Sequence, residues 1–327
     1  MRTPASRRAP AGAPRLALAA CLAAAAPLAT AVAQGAAGAP APAAASPARV
    51  VTITARDYAF EMPDTIAAGR TELRLANQGP DLHHAWLVRL DQAHTAAEFF
   101  AAMRRGGAAP SWAQQVGGPN TPAAGGTSAA VLDLQPGNYL VLCGVPSDNG
   151  EPHLRLGMMK TFTVVPAPGT RAALAARTGT GAAGARATRT VNGAAARAAA
   201  AAPASAVGVP NATLTLTDKG FALSQPLAAG RHVLRVRNQG TQVHEVLVAR
   251  LNGGATAEQA LNWFEGKQGP SPMTPVGGAV GLARGEFNDV PLELAPGEYA
   301  LLCRQPDVRG DRGHAATHRM VQQITVK

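Results

Sequence analysis

Four side chains in the first half of the chain could share one ion: His83, Cys143, His153 and Met158. His83 opens an alternating segment just after the turn residues Asn77-Gln78-Gly79, and Cys143 closes the apolar run Tyr139-Leu140-Val141-Leu142. The loop 144–157 then carries His153 and delivers Met158 to the last such segment, Thr161-Phe162-Thr163-Val164. Two remote stretches of chain therefore converge at one end of a β structure. A thiolate, two imidazoles and a weak thioether form the ligand set of a mononuclear type 1 copper site. Soft sulfur holds Cu(I), imidazole nitrogen suits both oxidation states, and a rigid loop limits rearrangement when an electron arrives or leaves.

The same set recurs further on, because the chain is a tandem duplication. At an offset of 161, Phe60 falls on Phe221, Ala67-Ala68-Gly69-Arg70 on Ala228-Ala229-Gly230-Arg231, Asn77-Gln78-Gly79 on Asn238-Gln239-Gly240, and His83 on His244. At 160, Gly117-Gly118 meets Gly277-Gly278, Pro136-Gly137 meets Pro296-Gly297, and Cys143 meets Cys303. The alignment separates adjacent candidates: His84 meets Glu245, so His83 is preferred, and Met158 rather than Met159 matches Met320. The second loop is longer and offers both His314 and His318. His318 lies only two residues before Met320, too close for both to reach one ion from an extended chain, so the second set is His244, Cys303, His314 and Met320. The wider spacing from His314 to Met320 puts the second axial ligand in question, and the loop's charges, Arg304 among them, could simply be a solvated surface. Two cysteines at equivalent positions suit one role performed twice better than one disulfide, although an oxidising compartment allows the bridge.

Around these residues the pattern is short alternating strands, as in Val51-Thr52-Ile53-Thr54 and Thr213-Leu214-Thr215-Leu216. Each copy has one helix that starts at a capping box, Thr95-x-x-Glu98 and Thr256-x-x-Gln259. The expectation is an all-β fold of two tandem Greek-key β-sandwiches, each with one short helix, at 48–165 and 209–327. Residues 166–208, rich in Ala, Gly and Arg, read as a flexible linker. The stretch Gly117-Gly118-Pro119-Asn120 reads as a turn, and Asp57, Glu61 and Asp64 as surface charge.

Residues 1–33 run from Arg2, Arg7, Arg8 and Arg15 through a Leu/Ala stretch to Ala31-Val32-Ala33, the order of a secretory signal peptide. Cys21 within it offers a weaker lipoprotein reading. Residues 34–47 then form an Ala/Pro-rich disordered segment. Export to the periplasm or beyond is expected, with no integral membrane span after cleavage. The net charge of +10 invites a nucleic-acid reading. That excess sits in the leader and the linker, however, and neither sandwich carries the cations that phosphate binding needs, so nucleic acid is excluded as the main partner.

The His after Asn77-x-Gly79, the run into Cys143, and Pro152-His153-x4-Met158 before Thr161-Phe162-Thr163-Val164 together resemble the cupredoxin, or blue copper, family. The resemblance covers both copies. It implies His83 and His153 as equatorial nitrogens, Cys143 as equatorial thiolate and Met158 as axial ligand. It further implies one-electron transfer to a redox partner protein that docks at an exposed His end. A copper storage or delivery module, or a protein-binding sandwich with a decayed site, would use the same scaffold. Multicopper oxidases and copper nitrite reductases carry further His ligands, typically His-x-His pairs or a His beside the Cys, and this chain has neither. No enzyme activity is therefore expected.

Overall fold

The computed structural model describes residues 47–104, 109–168, 205–266, 269–306, 314–318 and 320–327. The leader and most of the linker read from the sequence lie outside them. In the first repeat the strands are β1 (Arg49–Arg56), β2 (Ala59–Glu61), β3 (Thr65–Ala67), β4 (Gly69–Asn77), β5 (Trp86–Leu90), β6 (Ala113–Gly117), β7 (Thr127–Leu134), β8 (Gly137–Leu142) and β9 (Met159–Val165), with helix α1 (Ala96–Arg104) between β5 and β6. The second repeat has β10 (Ala212–Thr217), β11 (Gly220–Leu223), β12 (Gly230–Asn238), β13 (His244–Leu251), α2 (Ala257–Gly266), β14 (Met273–Leu282), β15 (Phe287–Leu294), β16 (Gly297–Leu302), α3 (His314–His318) and β17 (Val321–Val326). The structure is mostly β, as expected. It corrects the expectation of one helix per copy, because α3 is an addition in the second.

Alternation builds two layers. Val51, Ile53, Leu73, Leu75 and Leu132 of one sheet face Leu87, Val141, Phe162 and Val164 of the other, and all are buried. The residues between them on β5 and β8, namely Val88, Leu140 and Leu142, point outwards and are covered by Phe99 of α1. Both faces of these two strands are therefore dry, which accounts for the continuous apolar run that ends at Cys143. Both capping boxes form: the Thr95 N–H donates to Glu98 at 2.7 Å and the Glu98 N–H to Thr95 Oγ1 at 3.3 Å, with 2.8 and 3.2 Å for Thr256 and Gln259.

The two copies are not beads on a string. Both sheets run through both repeats, in the orders β11-β10-β12-β15-β7-β4-β1-β2 and β17-β16-β13-β14-β6-β5-β8-β9-β3. The described residues within Ala45–Lys327 accordingly form one compact unit. At the seam like pairs with like: β15 with β7 and β14 with β6, both antiparallel. Val116 pairs with Leu282 and Pro122 with Val276, which the repeat offset exchanges, while Pro119 pairs with its own equivalent, Ala279. The seam is thus a pseudo-twofold axis. Gly117-Gly118-Pro119-Asn120, read as a turn, lies along it. Tertiary pairing that local residue chemistry does not announce placed it there.

Buried polar groups tie the seam. Asn288 is fully buried, accepts from the Gly118 N–H at 2.8 Å and donates to the Val116 carbonyl at 3.1 Å. Asn120 donates across to the Val246 carbonyl at 3.1 Å, and buried Asp289 accepts from Arg235 of its own repeat and from Arg70 of the other. Among the described residues no helix is long and apolar enough to cross a membrane. Replacing Asn288 with Ala leaves a seam N–H and carbonyl dry and unpaired, so it should cost about 2 kcal/mol. The check is a urea denaturation: Asn288→Ala lowers the midpoint of a single transition, whereas exposed Asn138→Ala changes stability by less than about 0.5 kcal/mol.

Candidate metal centres

The segment that leads to His83 is shaped by Asn77. Its carboxamide accepts from the Gly79 N–H at 3.0 Å and donates to the Asp81 carbonyl at 2.7 Å, closing a turn two residues before His83. Asn238 repeats both bonds to Gly240 and Gln242 ahead of His244, at 2.8 and 2.7 Å. On the other side the Cys143 N–H donates to the Met158 carbonyl at 3.2 Å, and the Met158 N–H to the His153 carbonyl at 3.0 Å. The loop that bears His153, a 3-10 turn over His153–Leu156, is thereby pinned to the end of β8. Cys303, His314 and Met320 make the same two bonds at 3.0 and 3.3 Å. Helix α3 takes up the extra residues of the longer loop, so the wider spacing does not displace Met320 from this arrangement.

The result is two triangles of donor atoms. In the first, His83 Nδ1 lies 3.1 Å from His153 Nδ1, and Cys143 Sγ lies 3.9 and 3.5 Å from them. In the second, His244 Nδ1 and His314 Nδ1 are 3.0 Å apart, with Cys303 Sγ at 3.8 and 3.6 Å. The point equidistant from the three atoms of either triangle is about 2 Å from each, the range of bonds from a borderline metal ion to nitrogen and sulfur. All six side chains are fully buried, as are Met158 and Met320. Two imidazole nitrogens and a thiol sulfur converging in a dry pocket, with a buried Met bonded through its backbone to each cysteine, fit copper. No disulfide joins Cys143 to Cys303.

The far side of each imidazole is also held. His83 Nε2 lies 2.5 Å from Asp57 Oδ1 and His244 Nε2 lies 2.8 Å from Asp218 Oδ1. His153 Nε2 is 3.6 Å from Asp81 Oδ2, and His314 Nε2 is 3.2 Å from Gln242 Oε1. At hydrogen-bond distance the acceptors on His83, His244 and His314 place the ring proton on Nε2 and leave the Nδ1 lone pair to face the centre. Burial lowers the pKa of His244, with Asp218 opposing, which favours the neutral ring that a metal requires. Glycine is needed for this contact: a Cβ at Gly79 would collide with Asp57 Oδ1, and one at Gly240 would stand 2.5 Å from Asp218 Oδ1 and 2.6 Å from His244 Nε2. The Gly of the Asn-x-Gly turn is thus there for close approach as much as for the turn.

Each candidate named from the sequence can now be located. His83, Cys143 and His153 come together, as do His244, Cys303 and His314. His84 stands outside, its Nε2 accepting from the Gly144 N–H at 2.6 Å, and burial holds its pKa down to about 3, so it is neutral. His318 lies edge-on against His314, ring centres 5.2 Å apart. Two expectations need correction. Asp57 lies at the surface, as read, but it is more than surface charge: its carboxylate is the partner of His83, because the β1–β2 connection folds over the site. The His end is not exposed either: the Tyr58 ring lies 4.7 Å from that of His153, and the Tyr58 hydroxyl donates to Asp81 at 3.2 Å. Asp57 could have been found, since the offset that pairs His83 with His244 also pairs Asp57 with Asp218.

No protein-family model and no curated protein matches the chain. Solved structures do. An auracyanin from Roseiflexus castenholzii is 18% identical over 37% of this chain and 99% of its own, with a TM-score of 0.25. The blue copper oxidase from Nitrosomonas europaea is 13% identical over 85% of this chain and 84% of its own, at 0.23. The copper nitrite reductase of the same organism is 13% identical over 85% and 93%, at 0.22. Enzymes among these matches correct the expectation that the chain is not one. Lacking a His-x-His pair excludes only ligands adjacent in sequence, and a seam between sandwiches can gather side chains from remote segments. Two His-Cys-His clusters on a repeated two-sheet scaffold fit a tandem, two-domain cupredoxin-like form.

Proposed function

We propose that this is an exported protein that holds copper twice, by His83, Cys143, His153 and Met158 and by His244, Cys303, His314 and Met320, and passes single electrons to a redox partner protein. Copper bound there supplies a one-electron couple between Cu(I) and Cu(II). The chain's own residues keep both states in one geometry. Asp57, Asp81, Asp218 and Gln242 fix the imidazoles, the Met backbones clamp the loops, and the sandwich excludes water. The observation that carries this reading is the pair of donor triangles, each with a centre about 2 Å from all three atoms. Full burial of every donor supports a held ion over an exchanging one, and so electron transfer over copper delivery. Repetition of the whole arrangement speaks against a decayed second site.

Titration of the full chain with Cu(II) should develop the intense visible absorption of a thiolate–copper bond and saturate at two equivalents. Cys143→Ser and Cys303→Ser should each remove one coloured equivalent, and the double variant both. Colour that survives the double replacement, or a chain that takes up no copper, overturns the reading. Chelator competition tests the supporting carboxylate: Asp57→Asn should weaken the first site roughly 10- to 100-fold and leave the second unchanged.

A further inference from the structure

Away from the metal centres, the seam between the repeats opens into a cleft of about 800 Å³. Its origin lies in the eight-stranded sheet, where β7 and β15 are joined at Val131 and Asp289. Pro291, opposite Ala129 in that register, has no N–H to continue the ladder, so the start of β7 and the end of β15 part and line the cleft from either side. The chain that enters β10 runs along it. The Ser205 N–H donates to the Ala48 carbonyl at 2.5 Å and the Asn211 N–H to the Val233 carbonyl at 3.0 Å, and Val207 and Val209 between them join the lining. Val209 is 69% exposed, an unusual state for a large apolar side chain here.

One acid in this lining is incompletely paired. Glu72 of β4 is only 3% exposed, and its Oε1 accepts from Arg74 Nε at 2.5 Å, whereas its buried Oε2 has no hydrogen-bond partner among the described residues. The repeat offset places Val233 where the first copy has Glu72, and both residues line the cleft, which is therefore polar on one side of the seam and apolar on the other. We propose that the cleft binds an uncharged aliphatic molecule that ends in a hydroxyl, its O–H donating to Glu72 Oε2 and its chain lying against Val209, Val233 and Pro291. A hydroxyl completes a charged acceptor that is already dry, and the chain covers apolar surface. An ammonium group would crowd the Arg74 guanidinium, and a carboxylate would meet Glu72 head on. The other acid and base of the lining answer each other, with Arg231 Nε 3.6 Å from Glu293 Oε2, so no further charge calls for an ion. No Phe, Tyr or Trp lines the cleft to stack on a ring, which favours a chain.

The test is calorimetric titration of the full chain, free of copper, with octanol and with its methyl ether, which keeps the aliphatic chain and lacks the donor. Octanol should bind roughly tenfold more tightly than the ether. Glu72→Gln turns an amide N–H2 towards the hydroxyl in place of an acceptor, so it should weaken octanol alone and bring the ratio to about one. Val209→Asp, at an exposed position, should weaken both compounds alike and keeps the test decisive should Glu72→Gln fail to fold. Binding of neither compound, equal binding of the two to the unaltered protein, a preference for octanol that survives Glu72→Gln, or binding that Val209→Asp leaves unchanged overturns the assignment. Each of these outcomes leaves the copper reading as it was.

Discussion

Everything in this molecule depends on holding three polar donors within a few ångströms of one another where no water can separate them. Left to themselves, two imidazoles and a thiol in a dry interior would turn apart to find other partners, because an unsatisfied buried polar group is costly. Carboxylates behind the rings prevent this. Asp57 and Asp218 grip the far nitrogens of His83 and His244, and the glycine of each Asn-x-Gly turn exists partly to let that carboxylate come close. The turn, the strand it opens and the loop after β8 all serve the same contact. Without a cation in place, burial first and Glu245 second push the Cys303 thiol well above its ordinary range, so the pocket is built for a thiolate that only a bound cation would stabilise.

The architecture was legible to the extent that it is written in local periodicity. Alternating strands, both capping boxes and the duplication each leave a signal within a few residues or at one fixed offset, and the structure contains all of them. His83 could be told from His84 because one residue recurs in the second copy and the other does not. What stayed hidden was spatial. Asp57 looks like any turn carboxylate until the β1–β2 connection is seen to fold over His83, and Tyr58 gives no hint that its ring shields His153. The seam was hidden for another reason: β14 is rich in Gly and β6 ends at the pair Gly117-Gly118, and the residues that lock them, Asn120 and Asn288, are of a type that usually marks loops.

On the proposed electron-transfer role, burying all of the donors also changes how an electron would reach them. No ligand imidazole edge meets solvent, so a redox partner would meet the covering residues instead: Tyr58 and Asp81 in the first repeat, Gln242 and His318 in the second. The two entrances are chemically different. One presents a phenol tied to a carboxylate, the other an amide beside a second imidazole.

The seam carries a consequence for the size of the assembly. Because β6 meets β14 and β7 meets β15, the same edge is used on both sides, as in an isologous contact between identical subunits. Such pairing closes on itself. A head-to-tail array would leave an open edge for a third sandwich, then a fourth, whereas here the joining edges are consumed once two copies have met. A lone sandwich with these edges has the same option with a second copy of itself, so the duplicated chain has the geometry of a two-chain dimer whose halves have become one polypeptide.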